Sequence, residues 1–189
     1  MFHSCETTFN TVKKENPKMT TPTLAQALSK GIKDHLDTIT NLNNQGVDGK
    51  RSALAVNALH QPTLDYLRQK TGKDWVLEYK IPDYFGGTHK ADIGFDKTTF
   101  EFKCFKTSYA KNHKNYLRMG LSELQNQIFE GYSCNSIVIF KSNMLSSYQL
   151  SGWKKLSDRF NVLLVEYCHN YEVYFPQKSL SKFIEEANI

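Results

Sequence analysis

The sequence predicts an α/β protein with a mixed β-sheet covered by helices. Apolar residues recur at helical spacing in several segments and alternate with polar residues in others, and the two kinds of segment follow one another along the chain. The predicted core order is helix, three strands, helix and strand, with a further helix and strand addition toward the C-terminus. Chains with such an order form a sheet with helices packed on its faces.

The N-terminal region contains an irregular extension followed by the first helix of the domain. Residues 1–20 show no apolar period, whereas residues 21–189 are predicted to form a single domain. From Leu24 to Ile39 apolar residues recur every three or four positions, which predicts an amphipathic helix. The Asn- and Gly-rich segment 41–49 ends it.

A second helix, a first strand and a loop come next. The helix is predicted from about residue 51 to residue 72, with a kink or a restart at Pro62, because proline cannot donate a helical hydrogen bond. Alternating residues from Trp75 to Ile81 predict a strand. The segment 82–88 contains two consecutive glycines and predicts a loop.

A β-hairpin follows the loop. Its arms, Lys90 to Phe95 and Thr98 to Phe105, are rich in aromatic and β-branched residues, and a short turn at Asp96-Lys97 joins them. Beyond the hairpin, apolar spacing predicts three more helices and three more strands. These are a helix at 111–130, a strand at 136–141, a helix at 148–160, strands at 162–168 and 172–175, and a helix at 177–187.

Composition and charge narrow the class of protein. The net charge of +5 favours a polyanionic partner, although many proteins of this size carry a similar charge. The four cysteines form no CxxC pair and no zinc-finger spacing, which argues against structural zinc. No apolar run approaches the roughly 20 residues that cross a bilayer, and a secretory signal is lacking, so we expect a cytoplasmic protein without a membrane partner.

The predicted hairpin brings three ionisable side chains together. With the turn centred between Asp96 and Lys97, Asp92 pairs with Glu101, and the β-carbons of such a pair lie about 5 Å apart. Side chains alternate along a strand, so Lys103 shares the face of Glu101 while the neighbouring aromatic residues point into the core. The sequence therefore predicts that Asp92, Glu101 and Lys103 converge.

This convergence has a chemical meaning. Two close carboxylates repel each other unless they have a shared proton, a basic neighbour or a divalent cation, and oxygen ligands favour Mg²⁺ or Mn²⁺. Beside such a metal, Lys103 would orient the attacking water or help to deprotonate it, and would stabilise the charge at phosphorus during phosphodiester hydrolysis. The alternative is a surface hairpin in which Lys103 forms an ordinary cross-strand salt bridge.

These residues resemble the signature of the PD-(D/E)XK nuclease superfamily, the restriction-endonuclease-like proteins. That signature is an Asp on one strand and Glu-x-Lys on the next, present here as Asp92-Ile93-Gly94 and Glu101-Phe102-Lys103. The element order from about residue 51 to residue 141 resembles the family's core of a helix, three strands, a helix and a strand. The resemblance implies metal ligation by Asp92, Glu101 and the backbone carbonyl of Phe102, and a catalytic role for Lys103.

Other residues are lesser candidates for the same site. Asp83 follows a proline, as in the literal Pro-Asp of the signature, but it lies in the predicted loop, whereas strand pairing delivers Asp92. Many family members carry a further acid on the helix before the first strand, and Asp65 is the acid available there. On the helix after the hairpin, Gln125 and Phe129 resemble the Gln-x3-Tyr element of some members, with Phe in place of Tyr.

A basic segment runs from the hairpin into the following helix. Residues of this kind contact phosphates and supply salt-dependent affinity, although a solvated helix face has the same composition. The candidate DNA-binding residues are Lys90, Lys106, Lys111, Lys114 and Arg118.

We therefore expect a Mg²⁺-dependent DNA endonuclease of the restriction or mobile-element type, with Mn²⁺ as a substitute metal. Cleavage of both strands would imply a homodimer. The sequence leaves open a structure-specific DNA repair or junction nuclease, a non-catalytic nucleic-acid-binding module with the same fold, and a protein-interaction domain in which the motif arises by chance.

Overall fold

Five helices and six strands make up the described part of the chain. The computed structural model describes residues 22–49, 52–83, 86–105 and 110–189, with the backbone alone described at 110–119. The elements are α1 (Leu24–Asn44), α2 (Ala53–Thr71), β1 (Val76–Pro82), β2 (Thr88–Phe95), β3 (Thr98–Cys104), α3 (Ala110–Phe129), β4 (Ser133–Lys141), α4 (Ser147–Ser157), β5 (Val162–Tyr167), β6 (Val173–Tyr174) and α5 (Leu180–Ala187). Each corresponds to an element predicted from the sequence. The predicted extension at residues 1–20 lies outside the described residues.

All six strands form one mixed sheet in the order β1-β2-β3-β4-β5-β6. The pairs β1–β2, β2–β3 and β5–β6 are antiparallel, whereas β3–β4 and β4–β5 are parallel. A parallel pair needs a crossover connection, and α3 and α4 provide the two crossovers. The predicted mixed sheet is confirmed.

Helices cover both faces of this sheet. On one face α1, α2 and α5 enclose the larger apolar core, where the rings of Trp75 and Phe183 pack edge-on against Phe100 of β3, with 5.6 and 6.3 Å between ring centroids. On the other face α3 and α4 enclose a smaller core, in which Trp153 packs edge-on against Phe105 at 5.4 Å. Strand β3 therefore lies between two strands and between two layers of helices.

Helix α2 runs without a break from Ala53 to Thr71, with Pro62 inside it. Of the two alternatives predicted at Pro62, a kink or a restart, the restart is wrong. A proline inside a helix costs about 3 kcal/mol because one backbone hydrogen bond is lost and the ring crowds the preceding turn. Leu59 on one side of Pro62 and Leu64 on the other are buried in the larger core, and their burial offsets that cost.

Helices α1 and α2 pack closely at one glycine. A β-carbon added at Gly31 of α1 would lie 2.4 Å from the carbonyl oxygen of Leu59 in α2, which is far inside van der Waals contact. Only a residue without a side chain allows the two backbones to approach this closely. The contact fixes α2 at Leu59, one residue before His60, whose side chain reaches the candidate site.

Within residues 22–189, leaving aside the undescribed positions, no helix is long and apolar enough to cross a bilayer.

Candidate functional site

The hairpin between β2 and β3 has the register that the sequence predicted. Its turn lies at Asp96-Lys97, where Asp96 adopts a positive φ of 49°. One step beyond the last described pair, this register sets Asp92 opposite Glu101. The described pairs are Ile93 with Phe100, Gly94 with Thr99, and Phe95 with Thr98.

Asp92 lies where the β2–β3 ladder stops. Its Oδ2 accepts a hydrogen bond from the backbone N–H of Phe102 at 2.7 Å, so the carboxylate acts as an acceptor for a strand amide. The Asp92 side chain is still 28% exposed. The contact fixes one oxygen of Asp92 against β3 and leaves the carboxylate accessible from solvent.

Glu101 is buried, in contrast to Asp92. Its Oε1 accepts a hydrogen bond from the side-chain amide of Gln127 on α3. Burial, followed by the negative charge of Asp92, raises the pKa of Glu101 to about 8, and this rise exceeds the opposing effects of Lys103 and Gln127. Without a cation, Glu101 therefore keeps its proton at neutral pH.

Lys103 lies next to Glu101 on the same strand face. Its Nζ is 3.8 Å from Oε2 of Glu101 and forms an ion pair with Glu123 of α3. Burial tends to lower the pKa of Lys103, but the bond to Glu123 and the charges of Glu101, Glu123 and Asp92 together raise it. Lys103 is therefore a cation throughout the neutral range, so its own contribution is electrostatic.

His60 approaches Asp92 from the other layer of helices. Its Nε2 lies 3.9 Å from Oδ2 of Asp92, and its ring packs on the ring of Phe102 at 4.6 Å between centroids. Burial lowers the pKa of His60, and this effect outweighs the charge of Asp92. His60 is therefore neutral, and it packs against both residues of the Asp92–Phe102 hydrogen bond.

A cleft of about 670 Å³ opens beside Glu101. The described residues that line it include four acidic side chains, one lysine, and the ring of Phe129, which is 75% exposed. The lining residues are Asp83, His89, Lys90, Glu101, Glu123, Asn126, Gln127, Phe129 and Glu130. Glu101 is thereby reachable from solvent through a cleft of a size that admits a nucleotide or a small ligand.

The two lesser acidic candidates lie in different surroundings. Asp83 lines the same cleft as Glu101, and its Oδ1 accepts a hydrogen bond from the backbone N–H of Gly87 at 2.8 Å. The β1–β2 loop thus brings Asp83 near the site although it is not on a strand. Asp65 is exposed on α2, where its Oδ1 accepts a hydrogen bond from Gln61 at 2.8 Å. Helix α2 turns His60, and not Asp65, toward Asp92.

The candidate DNA-binding residues are described only in part. Lys90 is exposed, lines the cleft, and forms an ion pair of 2.5 Å with Glu78 of β1. Lys106 lies outside the described residues. The side chains of Lys111, Lys114 and Arg118 also lie outside the described part, although their backbone belongs to α3.

Three residues of the site were not found from the sequence. His60, Glu123 and Gln127 contact the candidate residues through tertiary packing of α2 and α3 against the hairpin. Glu123 and Gln127 are four residues apart and so share a helix face, a spacing that was available as a signal. The sequence directed attention to Gln125 instead, which is exposed.

The donor set fits magnesium. Asp92 and Glu101 supply carboxylate oxygens. Burial raises the pKa of Glu101 and the negative charge of Asp92 raises it further, and a divalent cation would relieve the repulsion between the two carboxylates. Among the residues whose side chains are described, no group of three His, Cys, Asp or Glu is arranged to hold a metal. Magnesium does not require such a cage, since it keeps several waters and commonly binds through one or two carboxylates.

No protein family, curated protein or solved structure that was compared with the chain matches it. The evidence for the site is therefore its own geometry and chemistry.

Proposed function

We propose that this protein is a Mg²⁺-dependent DNA endonuclease of the PD-(D/E)XK, restriction-endonuclease-like type. The observation that carries the proposal is the association of a buried carboxylate, Glu101, with a partly exposed one, Asp92, beside the ammonium of Lys103. The order of α2, β1, β2, β3, α3 and β4 supports it, because it is the order expected of that fold. The cleft beside Glu101 gives a substrate access to that carboxylate.

Each residue of the site has its own role in the proposed hydrolysis. Asp92 and Glu101 supply ligand oxygens, and the backbone carbonyl of Phe102 is proposed as a further ligand. Bound Mg²⁺, or Mn²⁺ in its place, would polarise the phosphodiester and support the leaving oxygen. Because Lys103 stays protonated, it donates hydrogen bonds to the water or to the phosphoryl oxygens, and it stabilises negative charge that develops at phosphorus.

DNA is proposed as the substrate because of the basic segment that follows the catalytic strand. Lys90 lies at the cleft, and Lys106, Lys111, Lys114 and Arg118 continue the segment in the sequence. We expect these residues to contact phosphates, so that binding weakens with added salt. A homodimer is proposed because one active centre cuts one strand at a time, and sedimentation with and without DNA tests it.

Cleavage assays test the proposed activity. Supercoiled, linear and branched DNA, and RNA, are incubated with Mg²⁺, Mn²⁺ or EDTA. We expect cleavage of DNA with either metal and none in EDTA. Asp92→Ala and Lys103→Ala should lower the cleavage rate at least ~100-fold, because each removes a group that acts on the transition state. The matched controls are Asp74→Ala and Lys155→Ala, which change exposed residues of the same type elsewhere on the surface.

The outcomes separate the candidate functions. Cleavage that persists in EDTA, or wild-type rates in both active-centre variants, would contradict the metal-dependent mechanism. Preference for branched DNA would favour a repair or junction nuclease over a restriction-type enzyme. Binding of DNA without cleavage under any condition would identify a non-catalytic module.

A further inference from the structure

We propose that Gln127 is a positioning residue, oriented by Thr99, that occupies Oε1 of Glu101 and so presents the other carboxylate oxygen to the cation. This inference deepens the proposed function and rests on it. It assigns a task to two buried polar residues, one on α3 and one on β3.

A chain of polar contacts leads to Glu101 through the protein interior. Thr99 Oγ1 donates to Gln127 Oε1 at 2.5 Å, and Gln127 Nε2 donates to Glu101 Oε1. Cys134, on the neighbouring strand β4, is the register partner of Thr99. Thr99 and Gln127 are 0% and 1% exposed. Because both side chains are shielded from solvent, water cannot readily replace a lost hydrogen-bond partner. The orientation of each polar group therefore affects the stability of the hydrogen-bond chain.

The contacts select one orientation of the Gln127 amide. The Thr99 hydroxyl donates its proton to the amide oxygen of Gln127. The amide N–H₂ must face Glu101, which as a ligating carboxylate accepts hydrogen bonds only. With Glu101 ionised on a cation, a reversed amide would place its oxygen against a carboxylate oxygen inside the protein, and two acceptors facing each other are strongly unfavourable.

The consequence for Glu101 is an asymmetric carboxylate. Oε1 is occupied by the Gln127 amide, whereas Oε2 lies 3.8 Å from Nζ of Lys103. With Oε1 already occupied, Glu101 is presented to a cation through Oε2. The same contact restricts rotation of the carboxylate, which reduces the entropy lost when the ligand sphere forms.

Direct binding of Mn²⁺, measured by calorimetry on the full chain, tests the proposal. The variants are Gln127→Leu, Thr99→Val and the conservative Thr99→Ser. We expect Gln127→Leu to weaken Mn²⁺ binding about 10- to 100-fold, as is usual when a partner of a metal ligand is lost. Thr99→Val should weaken it in the same direction, and Thr99→Ser should bind within about twofold of wild type. In cleavage, the half-saturating Mg²⁺ concentration should rise more than the maximal rate falls.

A double variant gives the sharpest result. Because Thr99 is proposed to act only through Gln127, Thr99→Val combined with Gln127→Leu should bind Mn²⁺ no more weakly than Gln127→Leu alone. Gln69→Leu, at an exposed position of α2, is the matched control. Thermal melts establish that each variant is folded. If Gln127→Leu does not fold, the comparison of Thr99→Val with Thr99→Ser decides.

Two results would overturn the proposal. One is Mn²⁺ binding at wild-type strength by Gln127→Leu, or by Thr99→Val when only that variant folds, while Asp92→Asn loses binding. That outcome would leave the nuclease function intact. The other is an additive effect in the double variant, which would mean that Thr99 does not act through Gln127. Failure of the wild-type protein itself to bind Mn²⁺ would remove the proposed function together with the positioning role.

Discussion

Glu123 on α3 holds the ammonium of Lys103 on β3 in an ion pair, while Oε2 of Glu101 lies 3.8 Å from the same nitrogen. Lys103 is thus shared between a half-exposed carboxylate and a buried one. The ion pair with Glu123 keeps the ammonium from closing fully onto Glu101. The ion pair between Glu123 and Lys103 therefore affects how easily a cation reaches the carboxylate of Glu101.

Glu123→Gln should make the metal harder to bind. Without the charge of Glu123, the ammonium of Lys103 moves toward Glu101 and competes with the cation there. We expect the half-saturating Mg²⁺ concentration for cleavage to rise about fivefold to tenfold, equivalent to roughly 1 kcal/mol for a partly buried pair. Glu185→Gln, an exposed change on α5 outside the cleft, is the control. An unchanged half-saturating concentration in Glu123→Gln would show that Glu123 does not restrain Lys103.

Glu101→Gln should remove a pH dependence of stability. The pKa of Glu101 is about 8 in the folded protein and near 4.5 in the unfolded chain, so the folded state binds the proton more tightly. This contribution to stability is complete below pH 4.5 and is lost as the pH rises through 8. Between pH 6.5 and 8.5 in EDTA, the free energy of unfolding should fall by about 2 kcal/mol more for wild type than for Glu101→Gln.

Urea denaturation at several pH values measures that difference. Glu185→Gln, an exposed change on α5, should follow wild type. Addition of Mg²⁺ at pH 8.5 should stabilise the wild type and not Glu101→Gln, because only the former offers both carboxylates. Parallel pH profiles of wild type and Glu101→Gln would mean that Glu101 titrates normally.

The wild-type protein should lose stability at acidic pH because of His60, and His60→Phe should abolish that loss. Burial holds the pKa of His60 below its ordinary value, so the folded protein favours the neutral ring. The stability that this provides is present above pH 6.5 and is lost as the pH falls through the lowered folded pKa. Phe keeps the ring stacked on Phe102, so we expect stability within about 1 kcal/mol of wild type at pH 7.5. The free energies of unfolding of wild type and His60→Phe should diverge below pH 6.5, with the wild type losing more stability.

Gly31→Ala tests the packing that places α2. The added methyl would meet the carbonyl of Leu59, which is backbone and cannot move aside, so the helices must separate. We expect a loss of about 1–3 kcal/mol in the free energy of unfolding, measured by urea denaturation. Asn41→Ala, at an exposed position of α1, should change it by less than about 0.5 kcal/mol. Equal stability of Gly31→Ala and wild type would mean that the two helices are not fixed at this contact.

The sequence alone predicted the features that depend on the local pattern of residues. Strand alternation and the place of the turn determined the hairpin register, and with it the neighbourhood of Asp92 and Glu101. The identity of their partners depends on which turn of α2 or α3 faces the hairpin, and tertiary packing decides that. His60 and Gln127 were missed for this reason. Tertiary packing also explains why the predicted restart at Pro62 was wrong. Burial of residues on both sides of the proline keeps α2 continuous.

The acidic lining of the cleft beside Glu101 has a consequence for the order of events. Among the described residues that line it, Asp83, Glu123 and Glu130 are acidic beside Glu101, and Lys90, the lysine there, is itself paired with Glu78. A phosphate chain that arrives first meets electrostatic repulsion, whereas a cation that arrives first removes it. For the proposed nuclease we therefore expect sequential loading, metal before nucleic acid, with the charge of the empty cleft as a safeguard against unproductive capture of DNA.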